Sequence, residues 1–141
     1  MPISKEEKIP KEAYLLFEEA NQLKDLRAQP LAIQKYTEAI EIYPNFWEAL
    51  DNRGLTKMDF AQVDFNQNKE AILDFEKSLL INPQSFVALF SIGECYFRLG
   101  EYNKALAKLQ ECLKIDPGNK DPEHKFTKQA IEDTKKRLNA K

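Results

Sequence analysis

Few side chains in this sequence could carry covalent chemistry. The 141-residue chain holds one histidine, His124, and two cysteines, Cys95 and Cys112. Either thiol with that imidazole would make a nucleophile and its base, but nothing in their spacing supports the pairing. A single histidine gives neither a Ser-His-Asp set with a choice of partners nor a polyhistidine metal site. There is no glycine-rich loop to cradle a phosphate. Carboxylates are plentiful, yet they fall at helix-surface spacings, where solvation is the ordinary outcome. The residue types argue against an enzyme and call for no cofactor and no metal. What is left is recognition by aromatic, acidic and amide side chains, and those must be placed by the elements that carry them.

Composition narrows the field further. The formal net charge is −2, so nothing pushes the chain as a whole towards nucleic acid. No apolar run approaches the ~20 residues of a membrane span. The opening MPISKEEKIP has no apolar signal core. Cys95 and Cys112 both fall on helical apolar faces, where a free cysteine acts as a small hydrophobe. Reduced packing thiols fit a cytoplasmic protein, with a disulfide or a metal site as the lesser alternative.

The stretch from Phe86 to Pro117 reads as two amphipathic helices. Leu89, Ile92, Gly93 and Tyr96 recur at helical spacing in the first. Ala105, Leu106, Leu109, Cys112 and Leu113 do so in the second. Gly100, in the turn Leu99-Gly100-Glu101, suits a helix C-terminus that needs positive φ. Pro117 ends the second helix. The unit recurs: closing prolines stand at Pro44, Pro83 and Pro117, spaced by 39 and 34 residues. The second copy has Leu50, Arg53, Gly54 and Lys57, then Ala71-x3-Phe75. The first has Leu16, Glu19, Ala20 and Leu23, then Ala32-x3-Tyr36. This pattern resembles the tetratricopeptide repeat (TPR), a 34-residue helix–turn–helix with W-x2-L-G-x2-Y…A-x3-F…P. The resemblance implies an all-α, right-handed α-solenoid of three repeats, about 11–44, 45–83 and 84–117. A lead-in over 1–10 precedes them and a capping seventh helix over 118–141 follows.

In chain order, the first helix is expected over Lys11 to Leu26. The second runs from Pro30 to Ile42, with Ala32, Ile33, Tyr36, Ala39 and Ile40 inward. Asn45 is expected to cap the third helix and Ser85 the fifth. The fourth helix, from Asn68 to Ile81, turns Ala71, Ile72, Phe75, Leu79 and Leu80 inward. The second repeat departs from the pattern in two ways. Gly54 to Ala71 is five residues longer than Gly93 to Ala105, by a longer helix, a longer loop, or both. Arg53 and Lys57 stand where the family usually has apolar or aromatic residues, so Phe60 and Phe65 are expected to supply the missing contacts. Asp121 as cap and Pro122 in the first turn start the last helix, with Phe126, Ala130, Ile131 and Leu138 as its apolar stripe. From Gly118 onward the chain has seven basic and four acidic residues, the charge of a solvated helix face.

In the resembled family the first helix of each repeat lines a concave surface. The corresponding face here carries Tyr14, Phe17, Glu18, Asn21, Lys24 and Asp25, then Glu48, Asp51, Asn52, Leu55, Met58 and Asp59. In the third repeat it carries Val87, Phe90, Ser91, Glu94, Phe97 and Arg98. Four aromatics on a face the repeat core should not need read as a partner site, the alternative being that some of them pack against a neighbouring helix. Six acids stand there against two bases. One subgroup of the family grips the C-terminal carboxylate of chaperone tails with two asparagines and three basic residues. Asn21 and Asn52 match the asparagines, but the three basic positions read Phe17, Val87 and Ser91.

The sequence therefore points to a non-enzymatic adaptor binding a protein or peptide with apolar anchors and basic flanks. Its expected groove is Tyr14, Phe17, Asn21, Glu48, Asp51, Asn52, Val87, Phe90, Glu94 and Phe97. The alternatives are a co-chaperone-like module binding chaperone tails, and a self-associating protein that uses the Phe60 to Phe65 insertion. Monomer or weak homodimer is the expected state, with no nucleic-acid or membrane partner.

Overall fold

The computed structural model of the protein describes residues 8–115 and 124–140. Among these residues there are seven helices and no strand. The lead-in up to residue 7, the closing Pro117 and the Asp121-Pro122 start signal lie outside them.

The first compact unit, Met1–Pro83, contains two helical hairpins. The first hairpin is α1 (Lys11–Asp25) with α2 (Gln29–Ile42), and the second is α3 (Trp47–Phe60) with α4 (Gln67–Ile81). Small residues let the helices come close. Ala13, Ala20, Ala32, Ala39 and Ala49 are fully buried, and Tyr36 and Phe46 fill the space between them. In the second hairpin Gly54 plays the same part. A Cβ there would sit 2.6 Å from Phe75 Cζ, so the ring occupies the place of a side chain.

The second unit, Gln84–Lys141, contains the third hairpin and the last helix. Here α5 (Phe86–Arg98) packs on α6 (Tyr102–Cys112), and α7 (Lys125–Asn139) closes the stack through Thr127, Ile131 and Thr134. A Cβ on Gly93 would lie 2.8 Å from Leu109 Cγ, repeating the Gly54–Phe75 contact. As the cap pattern predicts, Ser85 Oγ accepts a hydrogen bond from the Ala88 N–H at 3.2 Å.

The turns show how sequence variation is absorbed. Gly100 has φ 77° and follows α5, where the Glu101 N–H reaches back to the Tyr96 carbonyl. The first hairpin makes the same closure with Arg27 at φ 59° and the Ala28 N–H on the Leu23 carbonyl. A non-glycine residue takes that left-handed position at a steric cost. The five extra residues of the second repeat are shared out: α3 runs one residue longer past its glycine, the connection is longer by three, and α4 starts one residue earlier. The longer connection is held by Asp64, whose carboxylate accepts from the Asn66 N–H and from Gln67 Nε2. The buried Asn68 amide donates to the Phe65 carbonyl.

Four expectations are corrected. Asn45 is not the cap of α3; Phe46 holds that position with no side-chain bond, because its ring is drawn into the core. Leu80 points outward, 85% exposed, while Ser78 takes the buried place. Leu113 lies beyond the end of α6 and is exposed. Phe65 is 58% exposed and Val63 stands out beside it, so Phe65 does not replace the contacts that Arg53 and Lys57 forgo.

Those two cations instead find a counter-charge. The Arg53 guanidinium grips Asp74 with two bonds, Nε to Oδ2 at 2.9 Å and Nη2 to Oδ1 at 2.6 Å, and its Nη1 donates to Thr37 Oγ1. Lys57 Nζ lies 3.0 Å from Asp74 Oδ2. An ion cluster thus stands where the repeat pattern calls for apolar packing.

Candidate functional site

In the first unit the expected site residues sit on α1 and α3. Tyr14 is exposed at 45%, and Glu18, one turn on, raises its phenol pKa through hydrogen bonding first and its charge second. Phe17 is half-buried, with its ring centroid 4.7 Å from Phe46 and 6.0 Å from Tyr36. The reading that the core does not need this ring is therefore corrected for Phe17, which packs on the buried cluster. One helical turn on, Asn21 Oδ1 accepts from the Tyr36 hydroxyl and from Asn52 Nδ2. Burial pushes the Tyr36 hydroxyl up to about 12, which keeps it a neutral donor. The two asparagines are thus tied together across α1 and α3. Glu48 is half-buried, but Asp51 is buried, so the acids of α3 are less open than their helical phase suggested.

In the second unit α5 carries Val87, Phe90, Glu94 and Phe97, all half-buried, and Ser91, which is buried. Phe90 stacks on Phe86 with centroids 5.7 Å apart. Phe97 meets Tyr102 edge-on at 5.4 Å, and the Arg137 guanidinium lies over its ring at 5.8 Å. Between α5, α6 and α7 is a pocket of about 300 Å³. Gly93, Phe97, Leu109 and Ala130 give it apolar walls, and Glu94, Arg98, Asp133 and Thr134 add polar groups. Burial raises the Glu94 carboxyl above its ordinary pKa, and the nearby Arg98 charge opposes this.

Sequence reasoning named Ala130 only within the apolar stripe of the last helix and did not reach Asp133 or Arg137. Their signal was present as an i, i+3, i+7 stripe on α7 beside the inward one. Among the described residues no cluster of three or more His, Cys, Asp or Glu could hold a metal. None of the helices so described is long and apolar enough to cross a membrane. The thiols of Cys95 and Cys112 are both buried. Burial lifts Cys95 to about 12, which leaves it an unreactive thiol.

Residues 86–119 match the family model described as tetratricopeptide repeat. The chain carries a TPR repeat there. Its three helical hairpins and the following helix are the elements of a TPR domain in chain order. The TPR2B domain of yeast Sti1, solved in complex with an Hsp70 peptide, superposes with a TM-score of 0.80 at 21% identity, over 91% of this chain and 99% of that one. The first TPR domain of Spaghetti (RPAP3), bound to the HSP90 peptide SRMEEVD, gives a TM-score of 0.79 at 18% identity, over 92% and 95%. In sequence, the chain is 31% identical over 112 residues to Hsp70-Hsp90 organizing protein 1 of Glycine max, covering 79% of this chain and 19% of that protein. The chain thus spans about a fifth of the length of this curated relative.

Proposed function

We propose that this TPR domain is a non-enzymatic peptide-binding module whose ligand presents apolar anchors flanked by lysine or arginine, not an acidic chaperone tail. The observation that carries this reading is the identity of Phe17, Val87 and Ser91. A carboxylate clamp of the family's kind needs cations at these positions, and here Phe17 is packed on Phe46 while Ser91 is buried. A tail such as SRMEEVD, with three acidic side chains and a terminal carboxylate, would find no charge-assisted donors there. It would also meet Glu18, Glu48 and Glu94. Tyr14, Phe90 and Phe97 supply contact area, and the acids set polarity and encounter rate.

A specific observation favours the chaperone-tail alternative: Asn21 and Asn52 are bonded side by side, and the relatives include organizing proteins of Hsp70 and Hsp90. Fluorescence anisotropy separates the two readings. A capped peptide of sequence GFLKFKG is expected to bind more tightly than SRMEEVD. Phe90→Ala is expected to weaken that binding by about 1–3 kcal/mol, the usual cost of truncating an aromatic anchor, with little loss of stability. Tighter binding of SRMEEVD would overturn the proposal.

A further inference from the structure

The pocket closed by α7 lies wholly within Gln84–Lys141. Its walls are apolar where Leu109 and Ala130 face it, and aromatic at Phe97. Two carboxylates, Glu94 from α5 and Asp133 from α7, reach it from different helices, with Arg98 one turn beyond Glu94. A long apolar stem fits such walls, and a positive head fits the acids. A purely aliphatic ligand would remove water from Glu94 and Asp133 and leave Arg98, among the described residues the one cation lining the pocket, against two carboxylates. An acidic ligand would face two carboxylates.

A cation already uses one wall. The Arg137 guanidinium sits over the Phe97 ring at 5.8 Å, four residues on from Asp133, and the residue is otherwise exposed. The ring face is the partner it meets there, while the Asp133 carboxylate accepts from Gln129 Nε2 at 2.9 Å. Resting on the peptide-binding reading above, we propose that this pocket receives a lysine or arginine side chain of the partner. Arg137 is then its intramolecular stand-in, displaced from the Phe97 ring when the partner's cation arrives.

The test uses the full chain and two capped probes, GFLKFKG and the same peptide with both lysines replaced by norleucine, which keeps the stem and removes the charge. The norleucine probe is expected to bind about tenfold more weakly, the scale of one hydrogen bond to a charged group. Arg137→Ala removes the competitor, so the lysine probe should tighten about threefold, the worth of an exposed cation–π contact, while the norleucine probe is unchanged. Asp133→Asn should shrink the preference for lysine. Weaker binding of the lysine probe by Arg137→Ala, or an unchanged lysine preference in Asp133→Asn, overturns the pocket assignment and leaves the peptide-binding reading standing, whereas equal binding of the two probes to the wild-type chain overturns both. Binding of SRMEEVD alone, or of no probe, overturns both.

Discussion

Removing Asp74 should damage this protein more than any surface substitution. Its carboxylate is 3% exposed and is held at 2.9, 2.6 and 3.0 Å by Arg53 Nε, Arg53 Nη2 and Lys57 Nζ, whose side chains are 12% and 13% exposed. Asp74→Ala leaves two largely buried cations with no counter-charge. Deleting one partner of a buried ion pair costs about 3–5 kcal/mol. Both cations have long stems and some solvent access, so the lower end, about 3 kcal/mol, is the expected value. Against a total stability of roughly 5–15 kcal/mol, that is a loss of about 10 °C or more in melting temperature for a unit of this size. Urea denaturation followed by far-UV circular dichroism measures it directly. Lys57→Ala keeps the two-pronged Arg53–Asp74 contact and should cost only about 1 kcal/mol. The triple variant Arg53→Met, Lys57→Met, Asp74→Leu replaces the cluster with apolar groups of similar bulk. It should lie within about 1 kcal/mol of wild type, because desolvating the three charges offsets much of their attraction. An Asp74→Ala loss within about 0.5 kcal/mol, the range of ordinary surface changes, or a triple variant as unstable as Asp74→Ala, would refute the reasoning.

Two further outcomes follow from the packing and from the pocket. Gly54→Ala improves helix propensity by about 1 kcal/mol, yet its Cβ would lie 2.6–2.7 Å from Phe75 ring atoms; overpacking at about 1–3 kcal/mol should win, and a raised melting temperature would show that the ring yields freely. Glu94 has its pKa raised by burial from the ordinary 4.5, so the fold penalises its ionised form. The stability it contributes is present below that ordinary value and is lost as pH rises through the folded one. Glu94→Gln should therefore raise the melting temperature at neutral pH and lose that advantage as pH falls towards 4.5; a difference independent of pH would dismiss the burial effect.

The repeat was legible because its marks are local. Glycine opposite Leu109, proline closures and the Leu99-Gly100-Glu101 turn are each read within one hairpin, and α5 and α6 form where those marks place them. The places where the sequence misled depend on partners remote along the chain. Phe46 displaces Asn45 from the cap position of α3 because its ring packs on Phe17, 29 residues earlier in sequence. Asn21 and Asn52 are bonded to each other across 31 residues, a pairing that no single-helix periodicity reports. The wall that α7 gives the pocket was only partly legible for a similar reason: Ala130 stood in the apolar stripe, but Asp133 and Arg137 read as a solvated flank until Phe97 is placed beneath Arg137.

The two departures from the family pattern become intelligible together. Arg53 and Lys57 are cations of a first-in-repeat helix, the kind of helix that in the clamp subgroup offers positive charge to a ligand. Here both are turned onto Asp74 and their charge is used within the second hairpin. At Phe17, Val87 and Ser91, where that subgroup keeps its cations, this chain has a packed ring, an aliphatic and a buried hydroxyl. The basic residues of α1, α3 and α5 are therefore not simply fewer. Two of them are committed inside the fold, while Glu18, Glu48 and Glu94 keep some solvent exposure. On the proposed reading these acids suit a positively charged guest, and a fold shared with TPR domains solved with Hsp70 and HSP90 peptides does not by itself decide the ligand.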